Sequence, residues 1–115
     1  MGPADLPYLQ HMLDAVDRLQ RYVGDQSRDR FEADEVLQDA VIRQLEILGE
    51  AASRVTPEFR DSVPEIPWSK VIGTRHRLIH GYLSVDLEVV WHTATHHVPR
   101  LRSDLEKAIR GLEHS

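Results

Sequence analysis

The residues best equipped for chemistry fall together in Thr74-Arg75-His76-Arg77-Leu78-Ile79-His80-Gly81-Tyr82, which gathers two guanidinium groups, two imidazoles and a phenol. An arginine presents a planar fork of donors that matches phosphate oxygens. A histidine titrates near neutrality, so it can accept and donate a proton within one turnover. RNA brings its own nucleophile, the 2′-hydroxyl beside each phosphate. Cleavage by that hydroxyl needs a base and a positive charge facing the developing oxyanion, and neither a metal nor a cofactor is required for it. Taken one at a time, the same residues have structural readings: His80 capping a helix end, Arg75 and Arg77 solvated, Tyr82 packed with its hydroxyl at a rim.

Spacing constrains which of these can act together. On an ideal helix Arg75 and His80 are five positions apart, about 140° around the axis. His76 and His80 share a face at a four-residue step, as do Arg77 and His80 at three. Helical phase alone therefore groups His76, Arg77 and His80. Arg75 joins them only through the reach of its long side chain, or if Gly81 loosens the last turn under His80.

Charge points to the same stretch. The chain of 115 residues is acidic overall, with a net charge of −5. Residues 66–85 nevertheless contain no Asp or Glu, while carrying Lys70, Arg75 and Arg77 with His76 and His80. A basic island in an acidic chain suits an anionic ligand at one place rather than a broad nucleic-acid-binding surface. The absence of cysteine rules out disulfides, Cys-ligated zinc and thiol catalysis. No apolar run approaches the roughly 20 residues of a membrane span, and the start Met1-Gly2-Pro3-Ala4-Asp5 is unlike a signal peptide. The expectation is a single cytoplasmic domain over residues 1–115 that contacts no membrane.

Helical periodicity supplies the elements that must position these groups. Leu6, Leu9, Leu13, Val16, Leu19 and Val23 step by three or four and predict a first helix over about 6–23, with Asp5 as its N-cap and Gly24 at its end. Residues 25–33 are polar and predict a loop or one short turn. Leu37, Val41, Leu45, Leu48, Ala52 and Val55 predict a second helix over about 34–55, in which Gly49-Glu50-Ala51-Ala52 admits a close neighbour. Thr56-Pro57 ends that helix and starts a short turn through Phe59. Pro67 opens a third helix expected to end near Gly81. Leu87, Val90, Ala94, Val98, Leu101, Leu105, Ile109 and Leu112 hold phase through a long fourth helix over about 86–112, with a kink expected at Pro99. No segment alternates like a strand. The fold class expected is all-α, an antiparallel four-helix bundle with a kinked long C-terminal helix.

These residues carry a resemblance. Arg75-His76-Arg77-Leu78-Ile79-His80-Gly81-Tyr82 resembles the R-x-x-x-x-H-x-Y signature of the HepT-like HEPN family of ribonuclease toxins. Asp39-Ala40-Val41-Ile42-Arg43 and Leu48-Gly49-Glu50-Ala51 are similar to the family's second helix. Ile66-Pro67-Trp68 with Ile72-Gly73 is similar to its lead-in to the signature, and Tyr82-Leu83-Ser84-Val85-Asp86 with Val90-Trp91 to the segment C-terminal to it. The resemblance implies an HEPN-type bundle and a metal-independent RNA endonuclease, the toxin of a type II or type VII toxin–antitoxin pair. It makes Arg75 the contact to the scissile phosphate and His80 the catalytic base or acid. Tyr82 becomes the residue that a nucleotidyltransferase antitoxin adenylylates. It also implies a homodimer whose two motifs face one cleft. The position after the arginine is often Asn in the family and is His76 here; His76 and Arg77 are the candidates for supporting RNA.

Other residues carry weaker signals. His92 and His96 lie at a four-residue step with His97 adjacent, a spacing that binds zinc if a third ligand converges and otherwise makes a polar helix face. Trp68 and Trp91 can stack bases, but suit core or dimer anchors better. Nothing resembles a nucleophile elbow or a phosphate-cradling glycine loop. The alternative to the enzyme is a non-catalytic HEPN module that holds nucleotide or RNA or docks on a nucleotidyltransferase; a purely structural helical dimer is the third reading.

Overall fold

The computed structural model describes residues 3–74, 77, 79–80 and 84–114, with the side chains of residues 3, 79, 80 and 84 outside that description. A 3-10 turn at Pro3–Asp5 leads into α1 (Leu6–Val23); α2 (Arg28–Ala33), α3 (Glu35–Arg54), α4 (Pro57–Ser62) and α5 (Trp68–Ile72) come next. A two-residue antiparallel pairing of β1 (Ile79–His80) with β2 (Ser84–Val85) then precedes α6 (Leu87–His92), a π-helical segment at Thr93–His97, and α7 (Val98–Glu113). The chain is an all-α bundle, as expected. Its extents of 46 × 30 × 19 Å make it about two helices thick.

The periodic stripes become the core. Leu9, Val16 and Leu19 of α1, Val41 and Leu45 of α3, and Leu105 of α7 are fully buried against one another. α1 packs on both α3 and α7, and α5 packs on α3. The last contact depends on Gly49. A Cβ there would lie 3.1 Å from the Val71 carbonyl oxygen and 3.6 Å from that of Ile72, so glycine lets the end of α5 settle onto α3. This bears out the close neighbour expected at the Gly49-Glu50-Ala51-Ala52 run.

Several local expectations shift. Asp34, Thr56 and Asp86 are N-caps, accepting from Leu37 N–H, Phe59 N–H, and Glu88 and Val89 N–H respectively. Asp5 is not: its backbone is already helical and its side chain caps nothing in α1. The Asp5 carboxylate instead accepts from Thr56 N–H at 2.8 Å and from Thr56 Oγ1 at 2.9 Å, tying the start of α1 to the start of α4. The polar segment 25–33 contains α2, capped by Ser27, and drives Phe31 fully into the core. The first segment of the third helix closes at Ile72, Thr74 and Arg77 are again helical, and the backbone is extended by His80, short of the end expected near Gly81.

The long C-terminal helix is continuous but irregular. Ahead of Pro99 the backbone widens into a π turn, in which Val98 N–H reaches back five residues to Thr93 O. Pro99 then occupies the first turn of α7, the helical position that tolerates proline best. The Thr95 hydroxyl donates to the Trp91 carbonyl at 2.7 Å, linking the widened turn to α6.

Candidate functional site

The signature stretch begins on a well-anchored stem. Trp68 opens α5, is 8 % exposed, and donates its indole N–H to Val63 O at 3.0 Å, so it is a core anchor. At the other end of α5 the Thr74 hydroxyl donates to Lys70 O at 2.8 Å. Arg77 N–H donates to Gly73 O at 3.3 Å. The Arg77 guanidinium folds back to donate to Lys70 O at 2.6 Å and Thr74 Oγ1 at 3.0 Å. A cation thus sits on the carbonyl end of α5, where the helix dipole favours it.

Arg75, His76 and Tyr82 lie outside the described residues, as does the side chain of His80. The His80 backbone is extended and pairs with Ser84. The ideal-helix phase that grouped His76, Arg77 and His80 therefore does not extend to His80.

Beside this stem lies a groove of about 960 Å³. Its floor includes Leu45 and Leu48 of α3 and Trp91 of α6, whose ring packs on Phe31 with centroids 5.2 Å apart. Its lining includes Lys70 and Arg77 from α5 and the stretch after it, and His92, His96, His97 and Arg100 from the C-terminal helical run. Helical spacing singles out the three histidines but not the groove, and gives no signal for Arg100.

The π turn explains how the histidines meet. Five residues on an α-helix lie about 140° apart, whereas a turn closed by five-residue hydrogen bonds brings such positions back into line. His97 accordingly meets His92 edge-on, with ring centroids 5.0 Å apart, while His92 and His96 stack at 4.4 Å with planes 18° apart. Nearly parallel rings aim their in-plane nitrogen lone pairs alongside one another rather than at one point. Among the described residues, no group of three or more His, Asp or Glu side chains is placed to hold a metal ion. Because the Thr95 hydroxyl spends its hydrogen on Trp91 O, its 2.9 Å contact with His96 Nδ1 makes that ring nitrogen the donor.

Burial, and then the positive charges of His92, Arg100, Lys70 and Arg77, hold the His97 imidazole below its usual range. Carboxylates also border the groove, at Glu65, Glu88 and Asp104. Glu88 is taken by Arg28 at 2.8 Å. Among the described residues Lys70, Arg77 and Arg100 pair with no carboxylate.

A small helical bundle with a cationic, histidine-rich groove beside an R-x-x-x-x-H stretch is the class of protein these features define. The profile of the family described as Ribonuclease HepT-like matches residues 12–108, and the chain belongs to that family. A probable ribonuclease HepT of Thermococcus cleftensis is 36% identical over 100 residues, covering 87% of this chain and 91% of the relative. A protein of Methanocaldococcus jannaschii provisionally named an RNase is 34% identical over 106 residues, covering 92% and 91%. A longer protein of the same archaeon, named a gamma-glutamylcyclotransferase and provisional RNase, is 36% identical over 106 residues; the match spans 92% of this chain and 48%, about half, of that relative. No solved structure shows a significant match. Among the described residues no helix is long and apolar enough to cross a membrane.

Proposed function

We propose that this chain is a metal-independent RNA endonuclease, the toxin of a toxin–antitoxin pair, acting through Arg75 and His80. One observation carries the reading: the complete R-x-x-x-x-H-x-Y signature from Arg75 to Tyr82, inside a match to the HepT-like ribonuclease family that spans residues 12–108. His80 takes the proton of a 2′-hydroxyl as its oxygen attacks the adjacent phosphorus. The bond from phosphorus to the 5′-oxygen breaks, that oxygen receives a proton, and the products end in a 2′,3′-cyclic phosphate and a 5′-hydroxyl. Arg75 faces the charge that builds on the phosphoryl oxygens. Arg77 holds the end of α5 and supports the RNA path together with His76.

Adenylylation of Tyr82 by a nucleotidyltransferase antitoxin would place a bulky phosphodiester two residues from His80, blocking RNA and opposing its charge. A two-fold homodimer in the cytoplasm would set two basic islands beside each other. The test is cleavage of total RNA in the presence of chelator by the parent, Arg75→Ala and His80→Ala, each shown to be folded. The reading expects cutting by the parent alone, with cyclic phosphate ends. A parent that never cuts, with Tyr82 shown unmodified by mass spectrometry, replaces the enzyme with a non-catalytic RNA- or nucleotide-binding module.

A further inference from the structure

The π turn gathers side chains that the signature does not account for. His92, His97 and Arg100 line the groove together with Lys70 and Arg77. We propose that these five side chains form a phosphate subsite, distinct from Arg75 and His80, that holds an RNA phosphate flanking the one cleaved. The inference rests on the ribonuclease reading for the identity of its ligand, and on the groove alone for the anion.

Three observations support it. The charges that act on His97 from among the described residues, those of His92, Arg100, Lys70 and Arg77, are all positive. An anion beside that ring would gain from each of those four groups. The three permanent cations have no carboxylate partner among the described residues, and of the carboxylates that share the groove Glu88 is held by Arg28, while Glu65 and Asp104 pair with none of the three. Finally, Arg77 lines this groove and also lies between Arg75 and His80 in the sequence of the signature.

A phosphate seated here would supply the negative charge that His97 lacks. Binding would raise the imidazole pKa and draw in a proton, so affinity would rise as pH falls from about 7.5 to 6. Charge-assisted contacts of this kind are the strong ones in RNA binding, and they carry its salt dependence.

The experiment uses a short fluorescein-labelled 2′-O-methyl oligouridylate, which lacks the nucleophile and cannot be cut. Its anisotropy is followed with the parent, with His97→Gln combined with Arg100→Gln, and with Arg110→Gln as a charge control at the far end of α7. The double variant is expected to bind about tenfold more weakly. Its log–log salt slope should be shallower by about 0.7, the loss of one single-strand phosphate contact. The control should stay near the parent, and the His97 ring should titrate at higher pH by NMR when the oligonucleotide is bound. Equal binding by the parent and the double variant overturns the subsite, as does an unmoved His97 titration or a parent that binds no probe. If the parent binds in the expected way but cuts no RNA, the ribonuclease reading falls and the anion subsite stands.

Discussion

Replacing Asp5 with alanine tests whether the start of α1 is held by its cap or by a distant partner. The Asp5 side chain is 1 % exposed and accepts two hydrogen bonds from Thr56, at 2.8 Å and 2.9 Å. A hydrogen bond to a charged group contributes about 1.5–3 kcal/mol, and a stranded buried donor costs about as much again. The Thr56 hydroxyl can turn to water, but its backbone N–H cannot. Removing a buried carboxylate also recovers its desolvation, which offsets part of the loss. The net expectation is a destabilisation of about 2–4 kcal/mol. With an unfolding entropy of about 2.1 cal/mol/K per residue, that is a fall in Tm of about 8–16 °C for a chain of this length. Thermal unfolding followed by helical circular dichroism would measure it, at one protein concentration because association shifts Tm. Asp5→Asn keeps one acceptor and should lose about half as much. A fall below about 3 °C for Asp5→Ala, or a greater loss for the asparagine than for the alanine, would refute the account.

The same structure sets further outcomes. Folding lowers the His97 pKa, so the unfolded chain takes up a proton first as pH falls. The stability tied to His97 is therefore present above its unfolded value near 6.5 and is lost as pH falls through the lower folded value. Urea titrations from pH 8 to 5 should show His97→Gln losing less stability than the parent on the acid side, with a constant difference above about pH 7.5; parallel curves throughout would contradict the lowered pKa. Trp68→Phe keeps most of the ring but removes the indole donor to Val63 O, which retains its 3.3 Å bond from Ile66 N–H, and should cost about 1 kcal/mol in a denaturant titration, whereas an unchanged midpoint would mean the indole hydrogen bond contributes nothing.

Much of the fold was legible because long amphipathic faces report burial directly. The three-and-four steps through α1, α3 and α7 place their core residues on one side whatever the partner, and Thr56 and Asp34 cap where a hydroxyl or carboxylate precedes an apolar run. The family was legible too, because the R-x-x-x-x-H-x-Y stretch stands with its flanking blocks inside the matched residues 12–108. Short segments escaped that kind of reading. The six residues of α2 are too few for a period to show, so the buried Phe31 looked like loop.

What the residues determined by themselves was the helical class, the long elements and the signature. What only the tertiary structure decided was where local order stops and which side chains face each other. The backbone is extended by His80, where it pairs with Ser84, and the Arg77 guanidinium reaches seven residues back to Lys70 O, contacts that helical spacing does not reveal. Asp5 serves Thr56 because the packing of α1 on α3 brings residues 51 positions apart within 2.8 Å. The His92–His97 contact exists because a π turn replaces an α turn ahead of Pro99, changing the angle per residue on which the sequence reading of that face depended.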